Sequence, residues 1–238
     1  MIAKPAALTK QQQAALEAVA RHVSAQWETG ESPSTASIVL AGRRIALDVA
    51  TMRPAIANLQ KPRLRFDKVV LRLMSRLQDA LREAIPDGTT VLLTVTAPIR
   101  LPAQTAAALE DLIRACLARH AADCADTIHG NQIRLRLLPG LPQQAPKLIG
   151  FVHNPETDPE TLLDLTQSLL RPIAAAAARR APPGSAAERW LILAMEGASA
   201  PVETWRQIYT QLNILTDFTE ILLAFADGRV ESLTPRRL

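Results

Sequence analysis

The chain has 238 residues, 48% of them hydrophobic, with a formal charge of +4 and a pI near 9.5. This length and apolar content suit one large domain or two small ones with a packed core, and they argue against global disorder. Aromatic residues make up only 3%, too few for base-stacking platforms, so any nucleic-acid contact is expected on the phosphate backbone.

Arg far outnumbers Lys among the 27 basic residues. Arg suits bidentate contact with phosphate or carboxylate, but a mildly basic balance raises the nucleic-acid expectation only slightly. The two cysteines, Cys116 and Cys124, do not make a disulfide framework. The opening MIAKPAALTKQQQ lacks a signal-peptide core, and no charge-free run approaches the roughly eighteen residues of a membrane span. A reducing cytoplasmic setting without membrane contact is the expectation.

In chain order, Thr9 and Gln12 have the spacing of a capping box, and Leu16, Val19, Ala20, Val23 and Trp27 then recur at helical period. This predicts a helix from about 10 to 27. A loop containing Gly30 and Pro33 follows. Residues 37–51, SIVLAGRRIALDVAT, read as two apolar strands joined by a turn at Gly42, with Asp48 in the second strand. A carboxylate in such a run is costly to bury unless it is paired, hydrogen-bonded or bound to a metal.

Pro54 and Pro62 bracket a region with no long element. Phe66, Val70, Leu73, Leu77, Leu81 and Ile85 trace the apolar face of a second helix, stopped by Pro86-Asp87-Gly88. Val91–Val95 reads as a buried strand and Ala103–Arg119 as a third helix. Thr127–Leu138 reads as a hairpin through Gly130-Asn131, with Arg134 and Arg136 sharing its outward face. Lys147–Val152 is a further strand, and Asp158-Pro159-Glu160 has the grammar of a helix start.

Ala181–Ala187 is the most linker-like segment. After it come a strand at Trp190–Met195, a helix at Val202–Leu212, and a closing hairpin through Asp227-Gly228. Interleaved strands and helices predict an α/β fold, a mixed β-sheet covered by helices on both faces. The economical organisation is a single α/β domain over 1–238, with room for an inserted subdomain at about 64–150. One sheet is expected to join the 37–51 hairpin to the strands at 91–95 and 190–195.

A helix, a hairpin with an acid on its second strand, and a later strand WLILA together resemble the restriction-endonuclease-like superfamily, the PD-(D/E)XK nucleases. The resemblance implies a divalent-metal phosphodiesterase site, with Mg²⁺ as cofactor if that site functions. Asp48 takes the place of the strand acid and metal ligand, and Glu17 or Glu28 that of the helical acid. Ser37 falls near the first Asp of the pattern, and Ala50 stands where the Lys belongs. Arg43, Arg44 and Arg53 are the cations nearby in sequence.

The densest basic cluster is Lys61, Arg63, Arg65, Lys68 and Arg72, which with Arg134 and Arg136 is the candidate surface for a DNA or RNA backbone. Each group also reads as a solvated face. Cys116, His120, Cys124 and His129 carry zinc-compatible chemistry but lack C-x-x-C knuckles, so a buried cysteine and surface histidines are preferred. His153 follows a strand, with Glu156 and Asp158 as conceivable orienting acids; a turn at Asn154-Pro155 and a cap at Asp158 account for the same residues.

P-loop, dinucleotide-glycine, HExxH and G-x-S-x-G patterns are missing. Two functions follow as expectations. The first is a diverged nuclease-fold protein that binds nucleic acid and, given a working metal site, cleaves it. The second is a non-catalytic interaction module in which Asp48 is a paired structural acid.

Overall fold

The computed structural model describes residues 8–29, 36–53, 68–155, 158–179, 188–197, 200–212 and 214–234; side chains at 68–71 are not among them. These residues form an α/β structure with two mixed sheets and five helices. They divide between two compact units, one comprising Met1–Ala55, Arg171–Val202 and Thr216–Leu238, the other Ile56–Leu170 and Glu203–Leu215. Among the described residues, no helix is long and apolar enough to cross a membrane.

The first unit opens with α1 (Lys10–His22). Its capping box forms as the spacing predicts: the Thr9 hydroxyl accepts from the Gln12 N–H, and the Gln12 side chain accepts from the Thr9 N–H. The helix ends at His22 rather than near 27, because Ser24 turns left-handed (φ 54°) and Trp27 enters a strand. The strands are β1 (Trp27–Thr29), β2 (Ala36–Leu40), β3 (Arg43–Met52), β8 (Glu188–Met195), β9 (Glu220–Ala224) and β10 (Val230–Ser232), lying in that spatial order. Antiparallel β1, β2 and β3 meet a parallel β3-β8-β9 centre, and β10 closes the sheet as an antiparallel hairpin with β9.

Alternation along β3 sends Ile45, Leu47 and Val49 to one face, where they pack with Leu16 and Val19 of α1 and Ile192 of β8. Leu16 and Val19 have no exposed surface, and burying each contributes about 1.5–3 kcal/mol. Asp48 falls on the other face with Arg189 and Leu191, since the register sets Ala46 beside Arg189 and Asp48 beside Leu191.

The second unit contains α2 (Lys68–Leu81), β4 (Thr90–Thr96), α3 (Pro102–Ala118), β5 (Asp123–Ile128), β6 (Asn131–Leu138), β7 (Leu148–His153) and the start of α4 (Pro159–Ala177). Its sheet runs β5-β6-β4-β7, with β4 parallel to β7 and antiparallel to β6. Leu73, Leu77 and Leu81 of α2 and Leu109 and Ile113 of α3 bury one face, made by Val91, Leu93, Val95, Ile133 and Leu135. At Gly150 a β-carbon would stand 2.0 Å from the Met74 sulfur, so glycine leaves room for the Met74 side chain of α2 over β7.

The strand at 91–95 therefore does not share a sheet with Trp190–Met195, and the expected single sheet is two. Helix α4 continues through Pro172 to Ala177. The segments at 54–67 and 180–187, which hold Lys61, Arg63, Arg65 and the linker-like run, lie outside the described residues. The last helix, α5 (Val202–Leu212), has the predicted bounds.

Candidate functional site

Both carboxylate oxygens of Asp48 face arginine. The Arg189 guanidinium donates to Oδ2 at 2.7 Å, and Arg179, just beyond α4, stands 3.3 Å from Oδ1. Arg189 also donates to Asp217 and to the carbonyl of Arg179, and its guanidinium lies 4.7 Å over the Phe218 ring. Its side chain is 8% exposed and that of Asp48 22%. Burial alone would lower the Arg189 pKa, but its bonds with Asp48 and Asp217 raise it further, so the guanidinium stays charged. The cluster Arg179, Asp48, Arg189, Asp217 alternates base, acid, base and acid.

Such an arrangement neutralises a carboxylate rather than offering it to a hard cation, which needs several oxygen ligands. Glu17 is exposed on α1. Glu28 lies on β1, two strands from β3 and so about 10 Å across the sheet, where Arg44 reaches it at 3.4 Å. Ser37 accepts from Arg44 at 3.2 Å, while Arg43 and Arg53 pair with Glu188 and Glu196. The structure thus brings neither Glu17 nor Glu28 into the Asp48 cluster. Among the described residues no group of three or more His, Cys, Asp or Glu side chains could hold a metal.

Of the basic cluster at 61–72, Arg72 alone has a described side chain; it is exposed in an open groove with Arg76, Asp79 and Glu110. Arg76 lies 3.5 Å from Glu110, so that groove carries charge of both signs. Arg134 and Arg136 do share a face of β6, as the alternation predicts, but that face meets α4. Arg136 is 16% exposed and pairs with Asp123 at 2.8 Å, Glu160 at 3.0 Å and Asp164. Arg134 lies 3.6 Å from the same Glu160. Burial would lower the Arg136 pKa, and its bonds to Asp164 and Asp123 raise it more. Its charge is spent inside the protein.

Cys116 on α3 and Cys124 on β5 form a disulfide. They are not part of one continuous helix: His120 takes a left-handed conformation (φ 52°) and β5 begins at Asp123. His129 meets the Thr105 hydroxyl at 3.2 Å, beside buried Asn131, whose amide donates to the carbonyls of Arg100 and Ile128. Lys147 fastens the turn that follows α2, donating to the carbonyls of Arg82 and Ile85 at 2.9 Å each.

His153, the last residue of β7, is 2% exposed. Its pKa is lowered, mainly by burial, against a hydrogen bond to the Asn154 carbonyl and the field of Asp158. Asp158 performs the capping its position predicts, accepting from the Glu160 N–H at 3.0 Å and the Thr161 hydroxyl at 2.8 Å. Glu156 lies outside the described residues. The sequence alone did not single out Arg189, Asp217 or Thr96 as site residues, since their partners come from distant strands.

Comparison of the chain with protein-family models, with curated proteins and with solved structures finds no match.

Proposed function

We propose that the protein is a non-catalytic interaction module in which Asp48 is a structural acid. The observation that carries this is the double pairing of the Asp48 carboxylate with Arg189 and Arg179. A carboxylate committed to two guanidiniums is a poor ligand for Mg²⁺ and a poor base for activating water. The nuclease-fold reading, with nucleic acid as partner, draws its support from the basic residues Lys61 to Arg72, and the charges of Arg134 and Arg136 add little to it because α4 acids neutralise them.

The test is incubation of the full chain with plasmid DNA and an RNA hairpin in Mg²⁺ and in Mn²⁺, beside Asp48→Asn. No cleavage by either protein is expected. Cleavage by the wild type that Asp48→Asn loses would overturn the proposal. Fluorescence anisotropy across a salt series adds the binding arm: a steep salt slope that Arg72→Glu flattens would favour the nucleic-acid reading.

A further inference from the structure

The second unit carries a polar site of its own, on the sheet face that α4 covers. Cross-strand register puts Thr127 beside Gln132 and Thr96 beside His153, and extending the β4-β6 pairing one residue past Val95 and Ile133 sets Thr96 beside Gln132. Four polar side chains therefore lie in one row across β5, β6, β4 and β7. They sit at the carboxyl ends of the parallel pair β4 and β7, where open α/β sheets place ligands. The row floors a groove of about 420 Å³, whose walls include Asp126 of β5, Arg134 of β6 and Pro159 of α4. One row back, Thr94 lies between Arg134 and Phe151, and its buried hydroxyl has no hydrogen-bond partner among the described residues.

The backbone here is pinned, since the Ala97 N–H donates to the His153 carbonyl at 2.7 Å and extends the β4-β7 ladder beyond Thr96. The imidazole is oriented too. Its Nδ1 lies 2.9 Å from the Asn154 carbonyl, which only an N–H can satisfy, so Nε2 is the acceptor and faces the Thr96 hydroxyl at 3.4 Å. Burial lowers the pKa of that ring, against the Asn154 hydrogen bond and the field of Asp158.

Charge selects the ligand. Arg134 shares Glu160 with Arg136, and Arg136 is further held by Asp123 and Asp164. Of the charged side chains lining the groove, Arg134 is paired with Glu160 and Asp126 is a carboxylate, which leaves no surplus positive charge for a phosphate dianion. Hydroxyls, a primary amide and an imidazole offer donors and acceptors together, which is what a hydroxyl-rich ligand requires. We propose that the groove formed by Thr96, Thr127, Gln132 and His153 binds a small uncharged polyhydroxyl molecule of monosaccharide size.

This site does not depend on Asp48, which belongs to the other unit. Saturation-transfer NMR on the full chain, with D-glucose and myo-inositol as probes and glucose 6-phosphate as the charged comparison, tests it. The expected result is transfer to one or both neutral probes, weakened about three- to tenfold in Gln132→Ala and in Thr127→Ala. Both side chains are exposed, so the variants should melt as the wild type does. No transfer to either neutral probe, transfer unchanged in both variants, or preference for glucose 6-phosphate would overturn the proposal.

Discussion

The Arg189 guanidinium donates to the Asp48 carboxylate across the parallel β3-β8 pair, on the sheet face opposite α1. Removing one partner leaves the other charge partly buried and uncompensated, which costs about 3–5 kcal/mol in fully buried pairs. With Asp48 22% exposed, the lower end, about 3 kcal/mol, is expected for Arg189→Ala. Asp48→Asn should cost less, since an amide oxygen still accepts from Arg189. A double-mutant cycle read by chemical denaturation should give a favourable coupling between the two positions; additive effects would show that the pair contributes nothing.

Arg136 and Arg134 should behave oppositely. Arg136→Ala leaves Asp123, Glu160 and Asp164 facing one another without their shared cation, and a loss of about 2–4 kcal/mol is expected, larger at low salt. Arg134, 45% exposed and 3.6 Å from Glu160, should change stability by no more than about 0.5 kcal/mol on substitution by Ala. Equal effects in thermal melts would mean that α4 does not neutralise β6 as described.

Local grammar explains what was legible in the chain and long-range pairing explains what was not. The Thr9 and Gln12 capping box, the Gly42 hairpin, the α5 bounds and the Asp227-Gly228 hairpin are each settled by residues within a few positions of one another. Which sheet an apolar strand joins is not local: Val91–Val95 and Trp190–Met195 read alike, yet they pair in different sheets. The same limit hides the site. Arg189 follows Asp48 by 141 residues, and two of the acids that claim Arg136, Glu160 and Asp164, lie on a helix whose docking face only tertiary structure defines. Trp27 continues the helical period of α1, but the left-handed turn at Ser24 ends the helix first.

The disulfide between Cys116 and Cys124 closes a short loop, with a sequence separation of 8. Chain-entropy arguments give about 2–3 kcal/mol for a loop of this size. Thiol titration of the denatured, unreduced protein should find no free thiol, and reduction should lower the melting temperature. Two titratable thiols in protein purified under air would contradict the pairing.

His153 should impose a slope on stability in mild acid. Its folded pKa is depressed by burial, so below about 6.5 the unfolded chain takes up a proton that the folded protein resists. Stability is full above that pH and falls as pH drops through the folded pKa, with the nearby Asp158 carboxylate opposing the shift. Melting temperatures from pH 7.5 to 5 should fall more steeply for the wild type than for His153→Gln. Parallel curves would place the imidazole in solvent.

Titration calorimetry with Mg²⁺ and Mn²⁺ on the wild type and on Asp48→Ala tests the central claim most directly, because a structural acid and a metal ligand differ there without ambiguity. The pairing of Asp48 with Arg189 and Arg179 predicts no saturable heat for either ion, with the substitution altering stability instead. Stoichiometric binding by the wild type that Asp48→Ala abolishes would contradict the account and restore the metal site.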